Sequence, residues 1–188
     1  MCEENFLSRI ERLAKAGPDA ILLREKDLPE EEYRLLAASI IPLCEAAGVP
    51  LIVHTHTHIA RELGISRIHL PYERFLAQQH DLQGFSQIGV SVHSREEAVN
   101  AQAAGASCLI AGHIFPTACK EGLPPRGLAF LQAVCAAVDI PVYAIGGITA
   151  EKIPLVVEQG AAGGCVMSAW MRCESLREAV FAFRRACI

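Results

Sequence analysis

The sequence predicts a parallel α/β fold, and within that class a (β/α)8 TIM-type barrel that lacks its first N-terminal strand. Short apolar runs alternate with helical patterns along the chain, which is typical of parallel α/β folds. Each unit of strand, loop and helix takes roughly 17 to 34 residues, the usual size of a βα repeat. No low-complexity linker interrupts the 188 residues, so we expect one domain spanning 1–188.

Nearly continuous apolar runs predict seven strands that are covered on both faces. The expected strands are 20–23, 51–53, 67–70, 87–91, 107–111, 142–145 and 163–167. Apolar spacing and terminal glycines predict the helices between them. The expected helices are 3–15, 29–47, 94–105, 128–138, 150–159 and 175–186. Because a helix comes first, either the true start lies upstream or the barrel is open by one strand; an open doubly wound sheet is the competing architecture.

Charge and composition restrict the partners that we expect. Seventeen Lys and Arg against 21 Asp and Glu give a net charge of −4, so nothing predicts binding to nucleic acid or to an anionic membrane. No apolar run is long enough for a transmembrane helix, and the first twenty residues do not resemble a signal peptide. The eight cysteines are scattered without a CxxC motif, which favours reduced thiols and a cytoplasmic protein. Homo-oligomer formation is left open.

Polar residues at the expected strand ends are the first candidates for a site, because barrel chemistry lies at the C-terminal ends of strands. Arg24 and Lys26 follow the first expected strand and could clamp a phosphate or a carboxylate. A surface ion-pair cluster is the alternative interpretation. Ser91 ends the fourth expected strand and could hydrogen-bond a ligand.

Three alternating histidines, His54, His56 and His58, follow the second expected strand. In an extended chain they would share one face, as the ligands of a zinc or nickel ion do. The segment lies where strand gives way to helix, however, and that change breaks the alternation. We therefore expect no metal there.

The segment 112–122 carries the strongest candidate for catalysis. His113 follows the fifth expected strand, and an imidazole can accept and return a proton near neutral pH. Thr117 and Lys120 add a hydroxyl and an ammonium from the same loop.

Two further loops favour phosphate binding. Gly146 and Gly147 follow the sixth expected strand, and Met167 and Ser168 end the last one. Backbone N–H groups at such loops can approach an anion closely, and the loops after the last two strands are the usual phosphate site of a barrel.

Five motifs together resemble the thiamine phosphate synthase superfamily over nearly the whole chain from about residue 20. They are REK at 24–26, SVHS at 91–94, GHIFPT at 112–117, AIGG at 144–147 and VMS at 166–168. Within that superfamily, the loop with GHIF at 112–115, TACK at 117–120 and RG at 126–127 is similar to that of TenI-like thiazole tautomerases.

This resemblance implies a cofactor-free isomerase of thiamine biosynthesis that aromatises a carboxythiazole phosphate. It implies His113 as the proton carrier, with phosphate on the backbone of Gly146, Gly147, Met167 and Ser168. Thr117 and Lys120 would hold the phosphate or carboxylate side, and Arg24 and Lys26 the carboxylate.

Two alternatives stay open. A thiamine phosphate synthase would couple a pyrimidine diphosphate to a thiazole phosphate with Mg²⁺. Its Asn-Asp pair and later Asp correspond here to His54, Thr55 and Arg74, which are poor Mg²⁺ ligands. The other alternative is a non-catalytic relative that binds a phosphate ligand in a regulatory role.

Overall fold

The computed structural model describes residues 5–187, which form a parallel seven-stranded sheet with the strands in sequence order. The strands are β1 Ile21–Leu23, β2 Leu51–His54, β3 Arg67–Pro71, β4 Gln87–Val92, β5 Cys108–Gly112, β6 Val142–Ile145 and β7 Gly163–Cys165. The sheet is curled and its strands alternate with helices, so the TIM-like barrel lacking one strand is confirmed. A doubly wound sheet would reverse its strand order at a switch point, and this sheet does not.

Nine α-helices surround the sheet within residues 5–187. They are α1 Phe6–Ala16, α2 Glu30–Ala47, α3 Thr57–Glu62, α4 Tyr72–Ala77, α5 Arg95–Ala103, α6 Gly127–Cys135, α7 Ile153–Val157, α8 Ser168–Arg172 and α9 Leu176–Ala186. Short 3₁₀ turns cover Gln79–Leu82, Ala118–Lys120 and Ala150–Lys152. The expected start of the first helix at residue 3 lies outside the described residues.

The expected elements differ from the structure in three ways. Helices α3, α4 and α8 were not predicted, because five or six residues are too few to show a helical period. The expected helix 150–159 is instead a 3₁₀ turn followed by α7, in which Pro154 stands in the first turn. Proline has no N–H to donate to the preceding turn, so the two pieces do not merge. Strand β7 also ends at Cys165 rather than at residue 167.

Burial alternates along the strands and shows which face of the sheet is covered. Val53, Val90 and Leu109 are fully buried, whereas their neighbours Ile52 and Ile110 are only half-buried. Alternate strand residues point to opposite faces, so the helix-covered face is the core and the inside of the curl is partly open to solvent. A closed barrel packs that inner face with side chains.

Helices α1 and α9 lie against each other. The buried Arg9 on α1 donates hydrogen bonds to the carbonyls of Trp170 (2.5 Å) and Cys173. This guanidinium therefore ties the first described helix to the segment around α8. Within residues 5–187 no helix is both long and apolar enough to span a membrane, and all seven cysteines there are free thiols.

Candidate active site

All seven strands run in the same direction, so the groups that follow them gather along one rim of the curled sheet. Arg24 follows β1, His113 follows β5 and Gly146 follows β6. Ser91 is the last residue but one of β4. The predicted site residues are therefore distributed along the carboxyl rim, and the structure brings some of them into direct contact.

His113 begins the loop after β5, and this loop is hydrogen-bonded to the loop after β6. Ile114 N–H donates to the Ile145 carbonyl (2.9 Å), and Phe115 N–H donates to the Gly146 carbonyl (3.0 Å). A side chain at Gly146 would place its Cβ 2.3 Å from the Cβ of His113. Only glycine fits there, so the candidate acid–base group and the candidate phosphate loop are packed directly together.

The backbone of His113 is held on both sides. The ring of His93 donates from Nδ1 to the carbonyl of Gly112 (3.0 Å), which fixes its Nδ1–H tautomer. On the other side, Arg126 N–H donates to the carbonyl of His113 (2.9 Å). The imidazole of His113 is half-buried, and its Nε2 lies 3.4 Å from the carbonyl of Leu123. The ring is thus reachable from solvent while its main chain is fixed.

Lys152 organises the Gly146–Gly147 turn, a role that the sequence did not predict. Its ammonium donates to the carbonyl of Gly147 (2.9 Å) and lies 4.7 Å from the centre of the Phe115 ring. Gly147 has a φ of +64°, and a Cβ there would lie 2.5 Å from the Pro116 carbonyl oxygen. With its carbonyl held in this way, the turn keeps one conformation.

The remaining predicted residues of this half of the rim are less firmly held. Thr117 Oγ accepts a long hydrogen bond from Cys119 N–H (3.4 Å), at the start of a 3₁₀ turn. Lys120 ends that turn with an exposed side chain. Met167 is 59% exposed and Ser168 begins α8. The structure therefore places these four groups beside the rim without joining them by side-chain contacts.

The other half of the rim is built on Tyr33, which is fully buried. Its hydroxyl donates to the carbonyl of Leu23 (2.8 Å) and accepts from the N–H of His54 (3.1 Å). These two bonds join the carboxyl ends of β1 and β2. Burial raises the pKa of Tyr33 to about 12, so the hydroxyl keeps the proton that it donates to Leu23.

Two buried histidines line the inner face beneath this half. The rings of His54 and His69 are stacked with centroids 5.8 Å apart, and His69 Nε2 lies 2.8 Å from Ser91 Oγ. Burial, reinforced by the charges of Arg24 and Lys26, lowers the pKa of His54 to about 4. Burial likewise lowers the pKa of His69 to about 3, with smaller effects of His54 and Arg24. Both rings are therefore neutral near pH 7.

The alternating histidines 54, 56 and 58 do not converge. His54 is buried with its Nδ1 2.6 Å from Thr55 Oγ1, whereas His58 is exposed and paired with Glu30 (2.7 Å). His56 instead packs against the ring of Tyr33 at 4.4 Å. The alternation breaks at Thr55, whose φ of +75° is a strained value for a β-branched residue. Within residues 5–187, no three His, Cys, Asp or Glu side chains are placed to hold one metal ion.

A family model described as thiamine monophosphate synthase matches residues 1–170. The chain belongs to the thiamine monophosphate synthase family. A thiamine-phosphate synthase of Roseiflexus castenholzii is 36% identical over 170 residues, which cover 89% of this chain and 75% of the relative. The thiamine-phosphate synthase 2 of Streptococcus pneumoniae is 31% identical over 182 residues, covering 96% of this chain and 87% of the relative.

Solved structures agree with this assignment. A thiamine phosphate pyrophosphorylase from Pyrococcus furiosus superimposes with a TM-score of 0.83 at 27% identity, covering 98% of this chain and 90% of that chain. A 3-hexulose-6-phosphate synthase superimposes with a TM-score of 0.73 at 18% identity, which shows a shared fold alone.

The Mg²⁺ that a synthase of this family would use does not fit the residues present here. Mg²⁺ prefers oxygen ligands, above all carboxylates, in an octahedral arrangement. At the three positions that the family resemblance assigns to the Mg²⁺ ligands of a synthase, this chain has the neutral His54, Thr55 and the cationic Arg74. The nearby Glu73 is a single exposed carboxylate.

Four residues that support the rim were not among the predicted site residues, namely Tyr33, His69, His93 and Lys152. Lys152 and His93 act through backbone carbonyls, and His69 acts through Ser91. Contacts of this kind leave no local pattern.

Proposed function

We propose that this member of the thiamine monophosphate synthase family is a thiazole tautomerase, which aromatises a carboxythiazole phosphate by an acid–base proton shift. The observation that carries the proposal is the position of His113. Its imidazole stands at the end of β5, half-buried and packed against the Gly146 turn. The candidate proton carrier and the candidate backbone site for an anion are thereby adjacent, as a small phosphorylated substrate requires.

The reaction that we propose needs no redox partner or cofactor. One proton leaves a carbon of the non-aromatic ring and one arrives at the exocyclic carbon, so that substrate and product are isomers. His113 accepts the first proton and returns it at the second position. Positioned acid–base catalysis of this kind contributes about 10² to 10⁴-fold in rate, and the gain of aromaticity drives the reaction forward.

The rest of the rim supplies binding in this proposal. The phosphate lies on the backbone of Gly146 and Gly147 and of the Met167–Ser168 segment. Thr117 and Lys120 approach the phosphate from the solvent side of their loop, and neither forms a hydrogen bond with another side chain of residues 5–187. Ser91, held by His69 at 2.8 Å, presents its hydroxyl to the ring at the centre of the inner face.

Thiamine phosphate synthesis is the second candidate, and the names of the relatives favour it. That reaction would join a pyrimidine diphosphate to a thiazole phosphate and release pyrophosphate. The synthase reaction depends on Mg²⁺, and the residues at the ends of β2 and β3 do not offer the oxygen ligands that Mg²⁺ prefers. The names of the relatives therefore favour the synthase, whereas the residues of this chain favour the tautomerase.

The two candidates are separated by running both assays on one preparation. We expect aromatisation of the thiazole carboxylate phosphate, followed by ultraviolet absorbance, and no pyrophosphate release from the synthase substrates at any Mg²⁺ concentration. His113→Ala should lower kcat for aromatisation by about 10² to 10⁴-fold. His80→Ala, at an exposed position in the Gln79–Leu82 turn, is the matched control and should be unchanged. Equal rates for His113→Ala and the wild type would exclude His113 as the acid–base group. Mg²⁺-dependent release of pyrophosphate would establish the synthase activity.

A further inference from the structure

Lys152 has a half-buried side chain whose ammonium forms no ion pair within residues 5–187. The residue ends the 3₁₀ turn before α7, and its main-chain N–H donates to the carbonyl of Thr149 (3.0 Å). Its ammonium contacts the Gly147 carbonyl at 2.9 Å and the centre of the Phe115 ring at 4.7 Å. A carbonyl dipole and an aromatic face solvate this charge without neutralising it. A positive charge therefore stays beside the turn.

Three successive N–H groups of the same turn have no acceptor. Gly146, Gly147 and Ile148 donate no hydrogen bond to any residue between 5 and 187. The two glycines have φ values of +96° and +64°, and Ile148 is 4% exposed. Backbone N–H groups in such positions are normally paired, and successive free N–H groups in a turn form a concave site for an anion. The turn thus lacks an acceptor that this part of the chain does not supply.

One peptide connects Lys152 to these donors. The peptide between Gly147 and Ile148 is trans, and a trans peptide points its C=O and its N–H in opposite directions. Because the ammonium holds the Gly147 carbonyl on one side, the Ile148 N–H is fixed on the other side. A positive charge at the carbonyl end also polarises the peptide, which makes its N–H a stronger donor. Lys152 can therefore act on an anion that it does not touch.

The ammonium also joins the turn to the loop that carries His113. Phe115, whose ring faces the ammonium, follows His113 by two residues, and its N–H donates to the Gly146 carbonyl (3.0 Å). The turn and the His113 loop are thus connected by a backbone hydrogen bond and by the side chain of Lys152. Loss of the ammonium would leave only the backbone bond between Phe115 and Gly146 from this pair of contacts.

We propose that Lys152 is a positioning residue for the phosphate group of the ligand. It holds the turn at 146–148 in the conformation that binds an anion, and it supplies the positive charge behind that turn. The phosphate contacts the free N–H groups, while the ammonium stays on the Gly147 carbonyl and the Phe115 ring. The inference rests on the proposed function for the identity of the ligand, but its test with inorganic phosphate does not depend on turnover.

Amide NMR of the full chain, titrated with inorganic phosphate in the presence of EDTA, tests this role. We expect the amide signals of residues 146–148 to shift in the wild type. Lys152→Met keeps the apolar stem and removes the donor and the charge, so Kd for phosphate should rise about tenfold. Lys152→Arg keeps the donor, the charge and the aromatic contact, and should restore Kd to within about threefold. Lys15→Met removes an exposed ammonium from α1 and should stay within about twofold of the wild type.

Steady-state kinetics add a result that general damage to the fold would not give. The phosphate group does not react, so its contacts serve substrate and transition state alike. Lys152→Met should therefore raise KM for the thiazole carboxylate phosphate about tenfold and leave kcat within about threefold. The amide spectrum shows whether each variant is folded, and Lys152→Gln, which also removes the charge, serves in place of Lys152→Met if that variant does not fold.

The possible results separate the role of Lys152 from the proposed function. Wild-type phosphate affinity in Lys152→Met, no recovery in Lys152→Arg, or a loss of kcat at unchanged KM would overturn the role of Lys152. Phosphate that fails to shift the amides of residues 146–148 in the wild type would overturn it as well. If Lys152→Met weakens phosphate binding and Lys152→Arg restores it, but the wild type does not aromatise the thiazole, the role of Lys152 stands and the proposed function fails.

Discussion

The stacked pair His54 and His69 makes stability depend on pH in a defined direction. Both rings are buried inside the curl, and both pKa values lie far below their usual 6.5, at about 4 and about 3. Between about pH 4 and pH 6.5, the two histidines therefore stay neutral in the folded chain, whereas they take up protons in the unfolded chain. The unfolded state binds more protons below pH 6.5, so the stabilising effect of neutral histidines is complete above that pH and is lost as the pH falls towards the folded values.

The magnitude follows from the size of the shifts. Each group contributes about 1.4 kcal/mol per pH unit between its unfolded and folded pKa values. At about pH 5 each histidine has therefore cost about 2 kcal/mol, and the pair about 4 kcal/mol. Domains are stable by only about 5–15 kcal/mol, so this loss is a large part of the total.

Urea unfolding between about pH 7 and pH 5, followed by circular dichroism, measures this loss. His69→Gln removes one of the two groups and keeps a polar side chain within reach of Ser91. We expect its free energy of unfolding to fall by about 2 kcal/mol less than that of the wild type over this range. His80→Gln changes an exposed histidine and should retain the full wild-type loss.

The comparison rests on the pH slope, so an overall loss of stability in His69→Gln at pH 7 does not affect it. Parallel slopes for His69→Gln and the wild type would refute the assignment of a neutral, buried His69. NMR gives an independent check, because the ring signals of His69 should not titrate above about pH 4. A midpoint near 6.5 for that ring would contradict the reasoning in the same way.

Three further substitutions test the packing around the site. Tyr33→Phe removes the hydroxyl shared by Leu23 and His54 and should cost about 1–3 kcal/mol in urea unfolding; an unchanged midpoint would show that water replaces it. Ser94→Ala removes the hydrogen bond to Glu97 N–H (3.0 Å) at the start of α5 and should cost about 1 kcal/mol, whereas Ser39→Ala on α2 should cost less. Gly147→Ala drives a Cβ against the Pro116 carbonyl, so phosphate affinity measured by calorimetry should fall about tenfold or more, and wild-type affinity would show that the turn does not bind phosphate.

Local patterns were sufficient for the repeating framework of the fold. Continuous apolar runs predicted all seven strands, and α5 begins at Arg95, next to the expected start of that helix at residue 94. The strand order followed from the βα repeat alone. Elements of five or six residues such as α3 and α8 have no period to detect, and they were missed for that reason.

The site is harder to predict because its contacts join residues that are far apart in the sequence. Position at a strand end predicted that His113 and Gly146 would share a rim. The two reasons for glycine at 146, its φ of +96° and the approach of His113, are visible only in the structure. The contact of His69 with Ser91 spans 22 residues and depends on the β3–β4 register. Histidines 54, 56 and 58 would share a face only in an extended chain, and the expected break at the change from strand to helix falls at Thr55, whose backbone is left-handed.

The open curl leaves two sheet edges, β1 and β7, that pair on one side only within residues 5–187. Such edges can recruit strands from other molecules. Each of these is only three residues long, about 10 Å of extended chain. An incoming strand would gain very few backbone hydrogen bonds from either edge, so brevity protects this sheet from edge-to-edge aggregation where closure would protect a complete barrel.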